Sequence, residues 1–172
     1  MIEQSNSFES HNNYRTDEVT PDNYPLLATI RGQIDNKKTS EELLSEAEKY
    51  SRAQDRKAFI TQEGDEVIGF VQLKLEETKL PEGAPETTGI LELAHLARIG
   101  VSTEHTKKGI ASSLLSRAEE YAQSKGKKGM WLDYLAENMP AMRLYASAGY
   151  KDLIEFRDKK DRLRRITTKY FQ

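Results

Sequence analysis

The spacing of apolar positions along this chain changes period several times, and each change marks an element. Tyr14 to Val19 predicts a first strand, ended by Thr20-Pro21, a threonine suited to cap a helix and a proline suited to its first turn. Leu26, Leu27, Ile30 and Ile34 then recur at helical spacing. The capping-box pattern Thr39-Ser40-Glu41-Glu42 opens a second helix that should bury Leu43, Ala47 and Tyr50. Lys57 to Gln62 and Glu66 to Leu75, apolar and β-branched and joined by Glu63-Gly64-Asp65, predict a β-hairpin. Pro81, Gly83 and Pro85 interrupt the stretch from Lys79 to Thr88, and a long strand is predicted from Gly89 to Val101. Ile110 to Ser124 is helical, with Ile110, Leu114, Ala118 and Tyr121 on one face and Gly126 at its end. Gly129 to Leu135 reads as a strand anchored by Trp131, and a short helix follows from Asn138. Lys151 to Arg157 and Leu163 to Phe171 form a final hairpin around Asp158-Lys159-Lys160-Asp161. The order β, α, α, β, β, β, α, β, α, β, β describes one α/β domain of the α+β type over residues 13–172. Residues 1–12 are polar and patternless and read as a disordered tail.

Composition narrows the function. A chain of 172 residues that is 37% hydrophobic and 31% charged has room for one domain with a proper core. A net charge of -2 argues against binding nucleic acid, although Lys151 to Gln172 holds eight basic residues against four acidic ones. No apolar run approaches the roughly 20 residues that cross a bilayer, so no membrane role is expected. The N-terminus lacks the basic and apolar regions of a signal peptide, and a cytoplasmic location is the expectation. With no cysteine there is no thiolate nucleophile, and His11, His95 and His105 are too scattered to suggest a metal site.

Two motifs carry chemistry. Thr106-Lys107-Lys108-Gly109-Ile110-Ala111 is a basic turn that runs from a strand into a helix. Such a turn points several backbone N–H groups at one spot where the helix dipole adds positive charge, which makes an anion cradle. It has neither the GxGxxG of a dinucleotide fold nor a P-loop. By itself the hexapeptide reads equally well as an ordinary lysine-rich turn. Asn138 to Tyr150 is a short helix with Asn138 as N-cap, Pro140 in its first turn and Gly149 as its left-handed stop. Ala141, Tyr145 and Ala148 share a face, so Tyr145 projects between small neighbours, either into a site or into the core.

Together the motifs resemble those of the GNAT superfamily of acetyl-CoA-dependent N-acetyltransferases. Val101 to Ala111 resembles the family's pyrophosphate loop, an Arg or Gln followed after a gap by Gly and then by Gly or Ala. Asn138 to Tyr150 is similar to its second signature, N-x-x-A-x-x-x-Y-x-x-x-G-F/Y, at every fixed position. The chain departs from the pattern at Thr106, where the family has Arg or Gln, and at Lys107, where glycine is common. The resemblance implies a mixed, mostly antiparallel sheet splayed at its centre, with acetyl-CoA as cosubstrate and no metal. It implies pantetheine contacts near Ile99, Gly100 and Val101, and a pyrophosphate site at Lys107, Lys108, Gly109, Ile110, Ala111 and Ser112. Asn138 and Tyr145 would face the thioester, with Tyr145 protonating the departing thiolate, and Ala141 would also contact the cofactor. Homodimers are common in the family.

Acetyl transfer to an amine also needs a route for the amine proton, since an alkyl amine of pKa about 10.4 is mostly protonated at neutral pH. Ungapped alignment to the family places His95 where a carboxylate often serves as base, and Glu92 is the alternative, directly or through water. With no cysteine to carry the acetyl group, direct transfer in a ternary complex is expected. The acceptor expected first is a small-molecule amine. A protein or peptide amine is the alternative, and a non-catalytic acyl-CoA-binding module is the rival class. The glutamates between Lys74 and Thr88 offer either a rim for a cationic acceptor or an ordinary solvated loop.

Overall fold

A computed structural model describes residues 13–35, 37–87 and 89–172. The expected tail, residues 1–12, lies outside them. The chain forms β1 (Tyr14–Glu18), α1 (Tyr24–Ile34), α2 (Ser40–Arg52), β2 (Arg56–Glu63), β3 (Glu66–Lys74), β4 (Ala94–Val101), a 3-10 turn (Thr103–His105), α3 (Ile110–Ser124), β5 (Gly129–Leu135), α4 (Met139–Ser147), β6 (Lys151–Arg157) and β7 (Leu163–Tyr170). The strands make one seven-stranded sheet in the order β1-β2-β3-β4-β5-β7-β6. Every neighbouring pair is antiparallel except β4 and β5.

Local chemistry sets most boundaries. At the start of α2 the Thr39 hydroxyl accepts the Glu42 N–H and the Glu42 carboxylate accepts the Thr39 N–H, so the expected capping box is complete. The first helix starts later than Thr20-Pro21 predicts. The Asn23 side chain accepts the Thr20 N–H at 2.7 Å, and residues 20–23 close a turn of their own. Asn23 is therefore the N-cap, and Pro25 takes the early helical position. The strand predicted from Gly89 begins only at Ala94. Leu93 donates its N–H to the Ile90 carbonyl, and this turn buries Ile90 and Leu93 together against Trp131, Phe156 and Ile166. Apolar residues three apart at 90 and 93 mark a turn, whereas a strand would alternate.

Side-chain alternation assigns the two faces of the sheet. Phe59, Val71, Leu73, Ala94, Leu96, Met130, Leu132 and Tyr134 pack with Ile110, Leu114, Leu115 and Ala118 of α3 and with Tyr145 of α4. Their strand neighbours point the other way. Ala58, Ile60, Val67 and Phe70 lie under Leu27, Ile30, Leu43 and Ala47 of α1 and α2. Trp131 and Ile166 lie on that same second face, where Leu80 and Ala84 pack from the segment between β3 and β4. The sheet thus separates α3 and α4 from α1 and α2.

Candidate active site

The parallel pair at the centre of the sheet is brief. Strands β4 and β5 are in register only at Ala94 with Met130 and His95 with Trp131. Past those residues β4 stays with β3 as far as Val101, while β5 stays with β7 as far as Leu135. The two strands therefore part toward their C-terminal ends, and the β4 backbone from Leu96 to Val101 has no ladder partner on the β5 side. A register shift opposite Gln72 and Leu73 makes Ala97 an extra residue in β4 and bends the strand where the opening begins. Ile99, Gly100 and Val101, the expected pantetheine contacts, line the β4 edge of this opening.

Both motifs reach its mouth. The chain leaves β4 through the 3-10 turn and enters α3 at Ile110, with Gly109 as N-cap at φ 79°. No side chain caps that end. The first four N–H groups of a helix lack intrahelical acceptors, so those at the start of α3 point into the space ahead of it. A Cβ built on Gly109 would have nothing within 4 Å, so the approach to these amides is open. Lys107, Lys108 and Ser112 are exposed around them. Lys107 takes a left-handed φ of 63°, a conformation native to the glycine that the family often has there. On the other side, Asn138 accepts the Ala141 N–H at 3.1 Å and starts α4 just beyond the end of β5.

The two reactive candidates flank the opening from opposite faces. His95 shares the second face with Trp131; their rings stack with centroids 3.9 Å apart and planes at 20°. Its Nδ1 is buried without a hydrogen-bond partner. Burial lowers its pKa to about 4, against a raising influence from the Asp133 carboxylate. Tyr145 lies on the first face, 7% exposed, between Tyr134 and Tyr150 at centroid distances of 5.6 and 5.8 Å. Burial raises the Tyr145 phenol well above its ordinary value, and Asp133 adds to the effect. At neutral pH the phenol is therefore protonated and the imidazole uncharged. The Asp133 carboxylate on β5 bears on both, and Arg164 of β7 holds it at 2.9 Å.

Glu92 is not brought to this place. It sits in the turn before β4, at the closed end of the strand pair, where its exposed carboxylate pairs with Lys128 at 2.6 Å. The acidic segment after β3 is likewise neutralised residue by residue. Glu76 pairs with Lys127, Glu77 with Lys74 and Glu82 with Lys159. Among the described residues, Glu86 is the acid of this segment outside these pairs. Among the described residues no group of His, Asp and Glu could hold a metal ion, and no helix is long and apolar enough to cross a membrane.

Nothing in the sequence pattern singled out Asp133, Arg164 or Gln72. The first two are ordinary members of a strand and a hairpin until β7 pairs with β5. Gln72 is 1% exposed with its whole amide unpartnered, on the face that carries His95, and nothing in its local sequence separates it from a strand glutamine.

Residues 20–150 match the acetyltransferase (GNAT) family. A streptothricin acetyltransferase of Escherichia coli is 39% identical over 59 residues, which are 34% of each chain, so this chain matches about a third of that relative's length. Among solved structures, Arabidopsis thaliana NAA60 in complex with a bisubstrate analogue superposes with a TM-score of 0.68 at 20% identity, covering 91% of this chain and 97% of that one. An aminoglycoside 6'-N-acetyltransferase complexed with coenzyme A gives 0.71 at 15% identity, covering 91% and 96%. At such identities the two structures speak for the fold.

Proposed function

This chain belongs to the GNAT acetyltransferase family, and from that premise we propose that it transfers an acetyl group from acetyl-CoA to the primary amine of a small molecule. The observation that carries the reading is the uncapped N-terminus of α3 at the mouth of the parted strands β4 and β5. Amides at Lys108 to Ser112 suit a diphosphate, and Lys107 and Lys108 add charge to it. The free edge of β4 from Ile99 to Val101 suits an extended amide chain, which adds to it as a strand would. Asn138 and Ala141 border the far side.

When bound, acetyl-CoA supplies an activated acyl group, and the chain's own residues handle charge and protons around it. A free N–H on the β4 edge near Ile99 or Gly100 stabilises the oxygen that becomes negative during attack. Tyr145 donates its phenolic proton to the departing sulfur, whose thiol pKa is near 8.5. Its phenol, ordinarily titrating near 10 and raised further by burial, is protonated at neutral pH. His95 takes the proton that the amine loses. With a pKa of about 4 it is neutral and available across the working range. It is a weak base until negative charge develops beside it, and that charge then favours its protonated form. Glu92 has no part in this scheme, because its carboxylate is engaged at the closed end of the strands.

The choice of a small amine over a peptide follows the similarity to a streptothricin acetyltransferase over 59 residues. The expected mechanism is direct transfer with both substrates bound, which gives intersecting double-reciprocal plots; parallel plots would overturn it. The decisive experiment is a panel of amines with acetyl-CoA, read as release of free thiol, alongside the thermal shift caused by acetyl-CoA alone. Thiol release with a small amine and a stabilising shift are expected. No reaction and no shift would refute the proposal.

A further inference from the structure

Behind the loop that leads into α3, three side chains from three parts of the fold meet. His105 closes the 3-10 turn and is 7% exposed. Its Nε2 lies 3.1 Å from a carboxylate oxygen of Glu63 at the end of β2, and its Nδ1 lies 2.7 Å from the Ser102 hydroxyl just after β4. A carboxylate only accepts, so Nε2 carries a hydrogen and donates it to Glu63, while Nδ1 and the Ser102 hydroxyl share the second hydrogen bond. Ser102 is itself fixed by its N–H to the Ile68 carbonyl at 2.8 Å, and His105 donates its own N–H to the Ser102 carbonyl at 3.0 Å. The Thr106 hydroxyl continues the chain of bonds to the Thr103 carbonyl at 3.1 Å.

We infer that Glu63, Ser102 and His105 form a positioning device that holds the anion-binding loop in its binding conformation before the ligand arrives. The inference rests on the reading above, that this loop receives the diphosphate of acetyl-CoA. Two observations call for such a device. The loop holds a lysine at a left-handed φ, which persists only when its surroundings over-determine it. It also has the short Thr106 where a long side chain would otherwise brace it, and the Thr106 hydroxyl turns back to Thr103. The His105 imidazole supplies the brace from beneath, and it anchors the loop to the β2–β3 hairpin through Glu63. Loop residues that are ordered in advance lose less freedom on binding, so the device acts on cofactor affinity and leaves the chemistry alone.

Glu63 makes the test clean, because its carboxylate is 45% exposed at a hairpin end and its loss leaves no cavity. Glu63→Ala should raise Kd and KM for acetyl-CoA by about fivefold, the worth of one hydrogen bond to a buried ring. The amine KM and the rate at saturating acetyl-CoA should stay near wild type. Glu63→Gln, whose amide oxygen still accepts from Nε2–H, should recover most of the affinity, and Asp65→Ala in the same turn should match wild type. Hydrogen exchange of the free protein should quicken at residues 106–109 in Glu63→Ala. Wild-type affinity for acetyl-CoA in Glu63→Ala, with only a lower melting temperature, would overturn the inference and reduce the cluster to a packing feature. Failure of the wild-type protein to bind acetyl-CoA or CoA would instead overturn the reading of the loop itself.

Discussion

His95 lies flat against Trp131, with ring centroids 3.9 Å apart, and the contact occurs at the last registered pair before β4 and β5 part. The indole covers one face of the imidazole, and Nδ1 is buried without a hydrogen-bond partner. Neutral imidazole is the form that this environment tolerates. The stack therefore keeps the ring free to accept a proton and also makes it a weaker base than an exposed histidine.

That environment gives folding a defined pH dependence. An unfolded histidine titrates near 6.5, whereas burial lowers His95 to about 4. Between these values the unfolded chain binds a proton at this histidine that the folded one does not, so the His95 contribution to stability falls as pH drops from 6.5 to 4 and is level on either side. The linked contribution is roughly 3 kcal/mol. Urea unfolding of wild type and His95→Gln at pH 7 and pH 4 should show the wild type losing about that much more stability than the variant. Equal losses in the two proteins would place the titrating group elsewhere.

Tyr145→Phe should keep the fold, because the ring contacts with Tyr134 and Tyr150 do not need the hydroxyl. The rate at saturating substrates should fall about 100-fold, as expected for loss of a general acid. Acetyl-CoA affinity, measured calorimetrically, should hold. The deficit should narrow above about pH 8.5, where the thiolate can leave without a proton. A deficit that is constant across pH would argue for a packing role.

How legible these features were in sequence depended on how far apart their causes lie. The helix α3, the strand β5 and the N-cap at Asn138 are where the pattern puts them, because each is fixed by residues within one or two turns. The early strand start at Gly89 failed because Ile90 and Leu93 are buried by Trp131, Phe156 and Ile166, whose arrival depends on sheet order. Glu92 stood as a candidate base for the same reason: on a continuous strand it would share the sheet with His95, but in a turn it meets Lys128 instead. His105 seemed scattered in sequence, since Glu63 lies 42 residues away. The acidic segment could be read either as a rim or as a solvated loop while the lysines that pair with it, Lys127 and Lys159, were distant in the chain.

Gly100 is held by shape. A Cβ there would come within 2.8 Å of the Phe70 ring and 3.1 Å of Ile34, with Phe70 buried under α1 and α2. Gly100→Ala must therefore displace the Phe70 ring and Ile34, or else shift β4 or the end of α1, where Asp35 is tied to Arg98 at 3.0 Å. A loss of about 1–3 kcal/mol is expected for overpacking of this kind. Because the displaced strand lines the opening, KM for acetyl-CoA should rise as well. A variant as stable as wild type would show that the Phe70 ring and Ile34, the latter already 40% exposed, move aside without cost.

Lys107 combines an unfavourable backbone with a useful charge, and substitutions can separate the two. A left-handed conformation costs a non-glycine residue about 1–2 kcal/mol, and glycine adopts it freely at an entropic cost of about 0.5–1 kcal/mol. Lys107→Gly should therefore stabilise the free protein by about 0.5–1 kcal/mol in urea unfolding, whereas Lys107→Ala, which keeps the strained φ of 63°, should not. Both variants lose the ammonium beside the proposed diphosphate site. Both should thus bind acetyl-CoA more weakly at low salt, and the difference from wild type should fade as ionic strength rises. Stabilisation by both substitutions would mean that the lysine side chain, through repulsion from Lys108, is the source of the strain. Stabilisation by glycine alone, with the same salt-dependent loss of affinity in both, assigns the cost to the backbone and the benefit to the charge.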